Sequence, residues 1–188
     1  MPSDDAPKTG MERAALIARV VRIVVFAAVA ITLLRFMTTY KTMRVQSWND
    51  QMEPSLAPGT KLLVHSGMLT AGRYSGGEMV AYAVESDGRV SVRFGRVAAV
   101  PGDEVKLSDE PGREVIVNGT PMAFTPVLVS PLEGEEAQPR PKIDTGEILV
   151  PGGTLYVVND NLSSTLSDSR RLGPIYEQAL AGKVVMSW

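Results

Sequence analysis

The sequence has no cysteine and a single histidine. The first absence excludes disulfides, thiolate zinc sites and cysteine nucleophiles, and it leaves the redox compartment unreadable from thiol usage. The second excludes metal sites built from several histidines and confines any serine–histidine–aspartate arrangement to His65. That residue stands beside a short apolar run, where a strand or turn position is the plain reading. An excess of one charge is also missing. Lys and Arg total 19 and Asp and Glu 21, a formal net charge of -2. Such a chain has no global basic field to hold nucleic acid, and no nucleic-acid partner is expected. Its 188 residues suit one domain with a small appendage and are enough to bury a core.

What the sequence does have, once, is a long apolar segment. Residues 14–37 are mostly apolar, and Ile23 to Leu34 is uninterrupted. The uninterrupted part is short of the roughly 20 residues that a bilayer asks for. Arg19, Arg22 and Arg35 flank it, however, and long basic side chains near helix ends carry their charge to the headgroups. With that allowance a helix over about 14–37 is long enough to span. A cleaved signal peptide would want a small-x-small site after the run, and Arg35-Phe36-Met37-Thr38-Thr39-Tyr40 is a poor one. A buried helix would need the rest of the chain to wrap it. An uncleaved anchor over 14–38 fits best, behind a tail of residues 1–13 and ahead of a folded domain over 39–188. Lys8, Arg13, Arg19 and Arg22 precede the apolar core and Arg35, Lys41 and Arg44 follow it, so the positive-inside bias is small.

After Arg44 no long stretch has a helical period. Short runs rich in Val, Tyr and Phe, bounded by Gly, Pro, Asn or Asp, predict strands. They are Lys61–Val64, Glu78–Val84, Arg89–Val100, Glu114–Val117, Glu147–Val150, Leu155–Val158 and Lys183–Trp188. Asp87-Gly88 and Asn118-Gly119 are hairpin signals, and Pro101-Gly102-Asp103 turns the chain. Many short strands and frequent turns predict a mainly β fold, an antiparallel barrel or sandwich. Residues 131–146, rich in Pro and Glu, read as an exposed loop. A short helix is expected near Ile175 to Leu180, and Trp188 is expected to pack within its strand.

Four segments, in order, resemble the signature boxes of bacterial type I signal peptidases. Met52-Glu53-Pro54-Ser55-Leu56 followed by Gly59 is similar to Ser-Met-x-Pro-Thr-Leu and its Gly-Asp. Gly76-Gly77-Glu78-Met79-Val80-Ala81-Tyr82 is similar to Gly-Asp-Val-Val-Val-Phe. Arg96-Val97, then Pro101-Gly102-Asp103 and Asn118-Gly119, are similar to Lys-Arg-Val-x-x-x-Pro-Gly-Asp with a later Asn-Gly. Val150-Pro151-Gly152-Gly153, Val158-Asn159-Asp160-Asn161 and Asp168-Ser169-Arg170 are similar to Val-Pro-x-Gly, Gly-Asp-Asn and Ser-x-Asp-Ser-Arg. Each piece alone is weak; their order behind an N-terminal anchor is not. The resemblance implies a signal-peptidase-like β fold. It also implies a single-pass protein of the bacterial inner membrane, with residues 1–13 in the cytoplasm and the β domain outside it.

That family cleaves peptide bonds with a serine nucleophile and a lysine base. The lysine must be neutral to take the serine's proton, so the family buries it to lower its pKa. By the resemblance the serine position is Gln51 and the lysine position Gly95. Glutamine has no hydroxyl to deprotonate, and glycine has no side chain. Arg96 cannot deputise, because its pKa stays above about 12 and it points to the other face of its strand. The serine before the Asp-Ser-Arg motif has only Thr165 or Leu166 to match it. The oxyanion hydroxyl has Ser47 as its candidate.

Catalytic residues are therefore not expected, and the chain reads as a membrane-anchored interaction, assembly or chaperone-like subunit. The alternative is an active peptidase with a relocated dyad drawn from Ser47, Ser55 and Lys61. Met52, Glu53 and Pro54 are expected beside a bound peptide. Arg96, Pro101, Gly102, Asp103, Asp160, Asn161, Asp168, Ser169 and Arg170 are expected to be structural. No metal or cofactor is expected. The expected partners are membrane lipid and an extended peptide or another membrane or secreted protein.

Overall fold

The computed structural model describes residues 8–67, 69–86, 88–108, 115–122, 146–161 and 168–188. It divides into two units, Met1–Thr39 and Tyr40–Trp188. The first holds helix α1 (Lys8–Thr39), 32 residues long. Its stretch Arg13–Thr39, 27 residues, is long and apolar enough to cross a membrane. At 1.5 Å per residue such a stretch reaches about 40 Å, more than a hydrocarbon core of about 30 Å needs. Apolar side chains such as Ile17, Val21, Val24, Phe26 and Leu33 are exposed along it. A helix that is apolar all round suits lipid or a protein interior, not water. Its hydroxyls turn inward: Thr32 Oγ1 donates to the Ala28 carbonyl at 2.8 Å and Thr38 Oγ1 to that of Leu34 at 3.0 Å.

The second unit carries two antiparallel sheets. Their strands are β1 (Tyr40–Arg44), β2 (Lys61–His65), β3 (Met79–Ser86), β4 (Arg89–Ala99), β5 (Glu104–Leu107), β6 (Val115–Val117), β7 (Thr120–Pro121), β8 (Glu147–Leu149), β9 (Thr154–Val158), β10 (Ile175–Tyr176) and β11 (Leu180–Ser187). A short helix α2 (Ser169–Leu172) lies between β9 and β10. The larger sheet runs β1-β2-β11-β3-β4-β9-β10 and the smaller β7-β6-β5-β8.

The period-two rule of a strand explains the core. Along β9, Leu155 and Val157 enter one apolar cluster with Val80, Tyr82 and Val97, while Tyr156 and Val158 enter another with Val105 and Val150. All five residues of β9 are buried, which is why this strand reads as a continuous apolar run rather than an alternating one. A third cluster joins Val45, Met52, Leu56, Leu62, Val64 and Phe94.

Turn chemistry locks the smaller sheet. Asn118 has φ 50°, a left-handed conformation that asparagine tolerates. Its Nδ2 donates to Asp103 Oδ1 at 2.8 Å, and its Oδ1 accepts from the Glu104 N–H at 2.9 Å. Asp103 Oδ2 in turn accepts from the Val100 N–H at 2.9 Å. The Pro-Gly-Asp and Asn-Gly turns, far apart in sequence, thus form one hydrogen-bonded unit.

The mainly β architecture follows the strand pattern, but β1, β5, β7, β10 and α2 lie outside the predicted runs, and two expectations are not met. Ile175 to Leu180 is not a helix: Ile175 pairs with Leu155 across β10 and β9, and only Glu177–Ala179 make a 3-10 turn. Burial of Ile175 in the first cluster and the preceding Gly173-Pro174 outweigh local helix preference. Trp188 does not pack within its strand. Its backbone exchanges two bonds with Lys61, each 3.0 Å, while the ring stays exposed. Asp87 and most of the proline-rich stretch, residues 123–145, lie outside the described residues.

Candidate functional site

The loop between β1 and β2 is set by its apolar residues. Val45, Met52 and Leu56 are buried, and Val45 exchanges backbone bonds with Thr60 and Gly59 at 2.9 Å each. Local turns fold the stretch back on itself, with the Asn49 N–H bonded to the Gln46 carbonyl and the Leu56 N–H to that of Met52. This packing draws Gln51 inside, where it is 3% exposed. Its carbonyl accepts from the Asn161 N–H at 2.9 Å, and Asn161 Nδ2 donates to the Asp50 carbonyl at 3.1 Å. The segment after β9 therefore holds the loop at its 50–51 peptide.

Arg96 makes a second tie. Its Nε and Nη2 grip both oxygens of Asp160 at 2.9 and 2.6 Å, and its Nη1 donates to the Gly77 carbonyl at 2.8 Å. Its Nη2 also reaches Ser55 Oγ at 3.4 Å. A two-pronged guanidinium–carboxylate contact is strong and directional. The Asp160 bond pushes the Arg96 pKa up, and burial pulls the other way. Beside these, Arg93 stacks on Trp48, its Cζ 4.6 Å from the ring centroid.

On β4 Val97 enters the first apolar cluster, and Gly95, two residues earlier, shares its face and lies against Tyr82 and Val157. A Cβ built on Gly95 overlaps Val157 Cγ1 well inside contact distance and sits 3.3 Å from Tyr82 Cε1 and from the Val158 carbonyl oxygen. Behind this face lies a buried ion pair. Asp168 and Arg170 have side chains 0% and 2% exposed, with Arg170 Nη2 2.6 Å from Asp168 Oδ2. Asp168 also caps α2 through the Arg170 N–H at 3.0 Å and accepts from the Asn159 N–H at 2.8 Å. Ser169 Oγ accepts from the Val157 N–H at 2.8 Å.

The structure thus joins Gln51 to Asn161, and Arg96 to Asp160. It ties Asp168, Ser169 and Arg170 to β9, and Pro101, Gly102 and Asp103 to the smaller sheet through Gly102 and Val150. Of the peptide-side residues, Met52 is a core side chain, Glu53 is half-buried and Pro54 is exposed, so Met52 offers no surface. Thr165 and Leu166 lie outside the described residues. His65 stands on β2 with its ring edge-on to Tyr40 at 4.9 Å between centroids. Among the described residues no group of three His, Asp or Glu side chains could hold a metal.

The lysines bear on the relocated dyad. Lys61 is exposed, Lys106 pairs with Glu147 on the surface, and Lys183 pairs with Glu78. Ser47 and Ser55 are exposed. Sequence reasoning missed Tyr82 and Val157 as shapers of the Gly95 face. Their signal was the strand register, which sets Val80 against Gly95 and Val97 against Val157.

Burial of tyrosines around the ion pair gives a test. Burial, reinforced by Asp168, raises the pKa of Tyr82 and of Tyr156 far above 10.0, and burial with Glu78 raises that of Tyr74 to about 12. A raised folded pKa means that the neutral phenol is favoured in the fold. That stability is fully present below the unfolded value near 10 and is lost as pH rises through the folded values. In a spectrophotometric titration at 295 nm, three of the five tyrosines should ionise only above pH 11, with unfolding. Five phenols titrating together near pH 10 in the folded chain would contradict it.

Residues 17–188 match the family model described as signal peptidase, peptidase S26. A signal peptidase I of Bacillus licheniformis is 25% identical over 131 residues, 70% of this chain and 68% of that protein. The solved signal peptidase I of Enterococcus faecalis V583 is 20% identical, covering 61% of this chain and 97% of that one at a TM-score of 0.41.

Proposed function

The chain belongs to the signal peptidase S26 family, and we propose that it is a non-catalytic member acting as a membrane-anchored interaction, assembly or chaperone-like subunit for exported or membrane proteins. The observation that carries this reading is the Gly95 face. Where the resemblance asks for a lysine there is no side chain, and the volume it would enter holds Val157 and Tyr82. At the matching nucleophile position Gln51 offers a carboxamide. Loss of either member of such a pair should cost several orders of magnitude in rate, and loss of both leaves neither nucleophile nor base.

Among the described residues, the relocated dyad has no support in the side chains. The amine nearest the Met52 loop in sequence, on Lys61, is exposed and lacks the apolar burial that the resemblance asks of the base. Ser55 Oγ meets the guanidinium of Arg96, which stays protonated and cannot take a proton. Helix α1 serves as the anchor, with the β domain on the extracytoplasmic side of a bacterial inner membrane. Retention of the fold without its chemistry favours holding an extended segment over cutting it. Such segments bind by adding a strand to a sheet edge.

The test is direct. The purified full chain, in detergent with a preprotein, should yield no processed product above the no-enzyme rate. Gln51→Ala should change nothing, and an inert, extended preprotein segment should still crosslink to the β domain. Cleavage that disappears on Ser47→Ala, Ser55→Ala or Lys61→Ala would overturn the reading.

A further inference from the structure

Strands β4 and β9 pair antiparallel, with Arg96 against Val158 and Val97 against Val157. One more step of the same register sets Gly95 against Asn159. Side chains of opposed residues project from the same face, with Cβ atoms about 5 Å apart. Asn159 is 0% exposed, and neither its Oδ1 nor its Nδ2 has a hydrogen-bond partner among the described residues. A buried carboxamide without partners costs free energy and is rarely retained without a reason. The opposed pair therefore holds one glycine and one polar side chain. In the motifs that the chain resembles, the lysine stands on the first strand and the glycine of Gly-Asp-Asn on the second. Here the glycine is on β4 and the polar side chain is on Asn159, the residue that follows β9, and Val157 fills the space beside Gly95.

We infer that Gly95, Val157 and Asn159 form one coupled unit, in which a side chain is missing from β4 and present just past the end of β9, closing the face where an amine would stand. The inference deepens the non-catalytic reading and rests on its assignment of Gly95. It makes Val157 and Asn159 positioning residues: they decide whether position 95 can carry a side chain at all. Changes at Gln51 and Gly95 alone then cannot restore a serine–lysine pair, because β9 leaves the amine no room.

The experiment compares backgrounds in the full chain in detergent. Gly95→Lys should lower the thermal midpoint by roughly 5–15 °C in the otherwise unchanged chain, and by less than half of that when Val157→Ala and Asn159→Gly are also present. Gly95→Ala, which asks only for the Cβ, should show the same pattern at smaller size and serves if the lysine variant does not fold.

A second readout is one that packing alone would not move. With Gln51→Ser and Gly95→Lys, p-nitrophenyl acetate should give no acylation burst. With Val157→Ala and Asn159→Gly added, a burst should appear and grow with pH as the introduced amine loses its proton. In that step the serine oxygen bonds the acyl carbon, nitrophenolate leaves, and the hydroxyl proton passes to the amine.

Equal costs of Gly95→Lys in both backgrounds, or a burst from the two-residue variant, would overturn the coupling. So would a four-residue variant that regains stability but takes no acyl group. Cleavage by the unaltered chain would defeat the non-catalytic reading while leaving the stability coupling intact, so the two can fail separately.

Discussion

Asp168→Ala is expected to lower the unfolding free energy of the β domain by about 3–5 kcal/mol, the usual result of stranding a buried charge. Arg170 is the charge left behind. Its Nε and Nη2 meet Asp168 at 2.6–3.1 Å, and its side chain is 2% exposed. Water cannot replace the lost carboxylate there without local opening. Two more bonds go with it, those from the Arg170 and Asn159 N–H groups, so α2 loses its cap and the residue after β9 one of its ties.

The ordering of effects separates charge from packing. Arg170→Met alone should also destabilise, because it strands Asp168. Asp168→Ala with Arg170→Met should cost clearly less than the sum of the two, since replacing both members of a buried pair by apolar groups is often close to neutral. Urea unfolding of the full chain in detergent, followed by near-ultraviolet circular dichroism of the buried tyrosines, gives all three values. Additive costs, or an Asp168→Ala loss under about 1 kcal/mol, would show that solvent or another group supports Arg170.

The strand pattern made most of this fold legible because buried β segments leave period-two or continuous apolar runs between turn residues. Lys61–Val64, Arg89–Val100 and Leu155–Val158 are such runs, and they became β2, β4 and β9. The short β10 was not legible. Two residues carry no period, and Ile175 is extended because Leu155 stands opposite it. At the site, motif order identified Gln51 and Gly95, since those positions are fixed by neighbours in the chain. It could not show what fills the space beside Gly95. Val157 and Tyr82 reach that point from two other strands, and only the register of the sheet brings them together. The ties from Asn161 to the 50–51 peptide and from Arg96 to Asp160 are of the same kind. Their residues stood out as motif members, but their partners lie 64 or more positions away, a pairing that sequence spacing does not measure.

Gly182→Ala should be among the most damaging single changes to the larger sheet, at about 2–6 kcal/mol, as overpacking and backbone strain add. Gly182 has φ +145°, a conformation that side-chain-bearing residues rarely adopt. A Cβ there would lie 2.5 Å from the His65 carbonyl oxygen, 2.8 Å from Val64 Cγ1 and 2.9 Å from the His65 carbonyl carbon. Two of those three atoms are backbone of β2, the strand on one side of β11, so no rotamer change relieves the contact. The register of β11 against β3 also shifts between Leu180 and Gly182, which places the irregularity in the interior of the sheet. By contrast Gly72→Ala and Gly152→Ala meet nothing within 4 Å and have no positive φ. They should fall within about 0.5 kcal/mol of the unaltered chain. Gly95→Ala should lie between, because its obstacle is a valine side chain that can shift at a cost. A graded series with Gly182 at the top, read by denaturant unfolding, would show that close approach of β2 to β11 sets the glycine requirement. A Gly182→Ala variant as stable as the Gly152→Ala control would remove that explanation and imply that β11 can slide past its bulge.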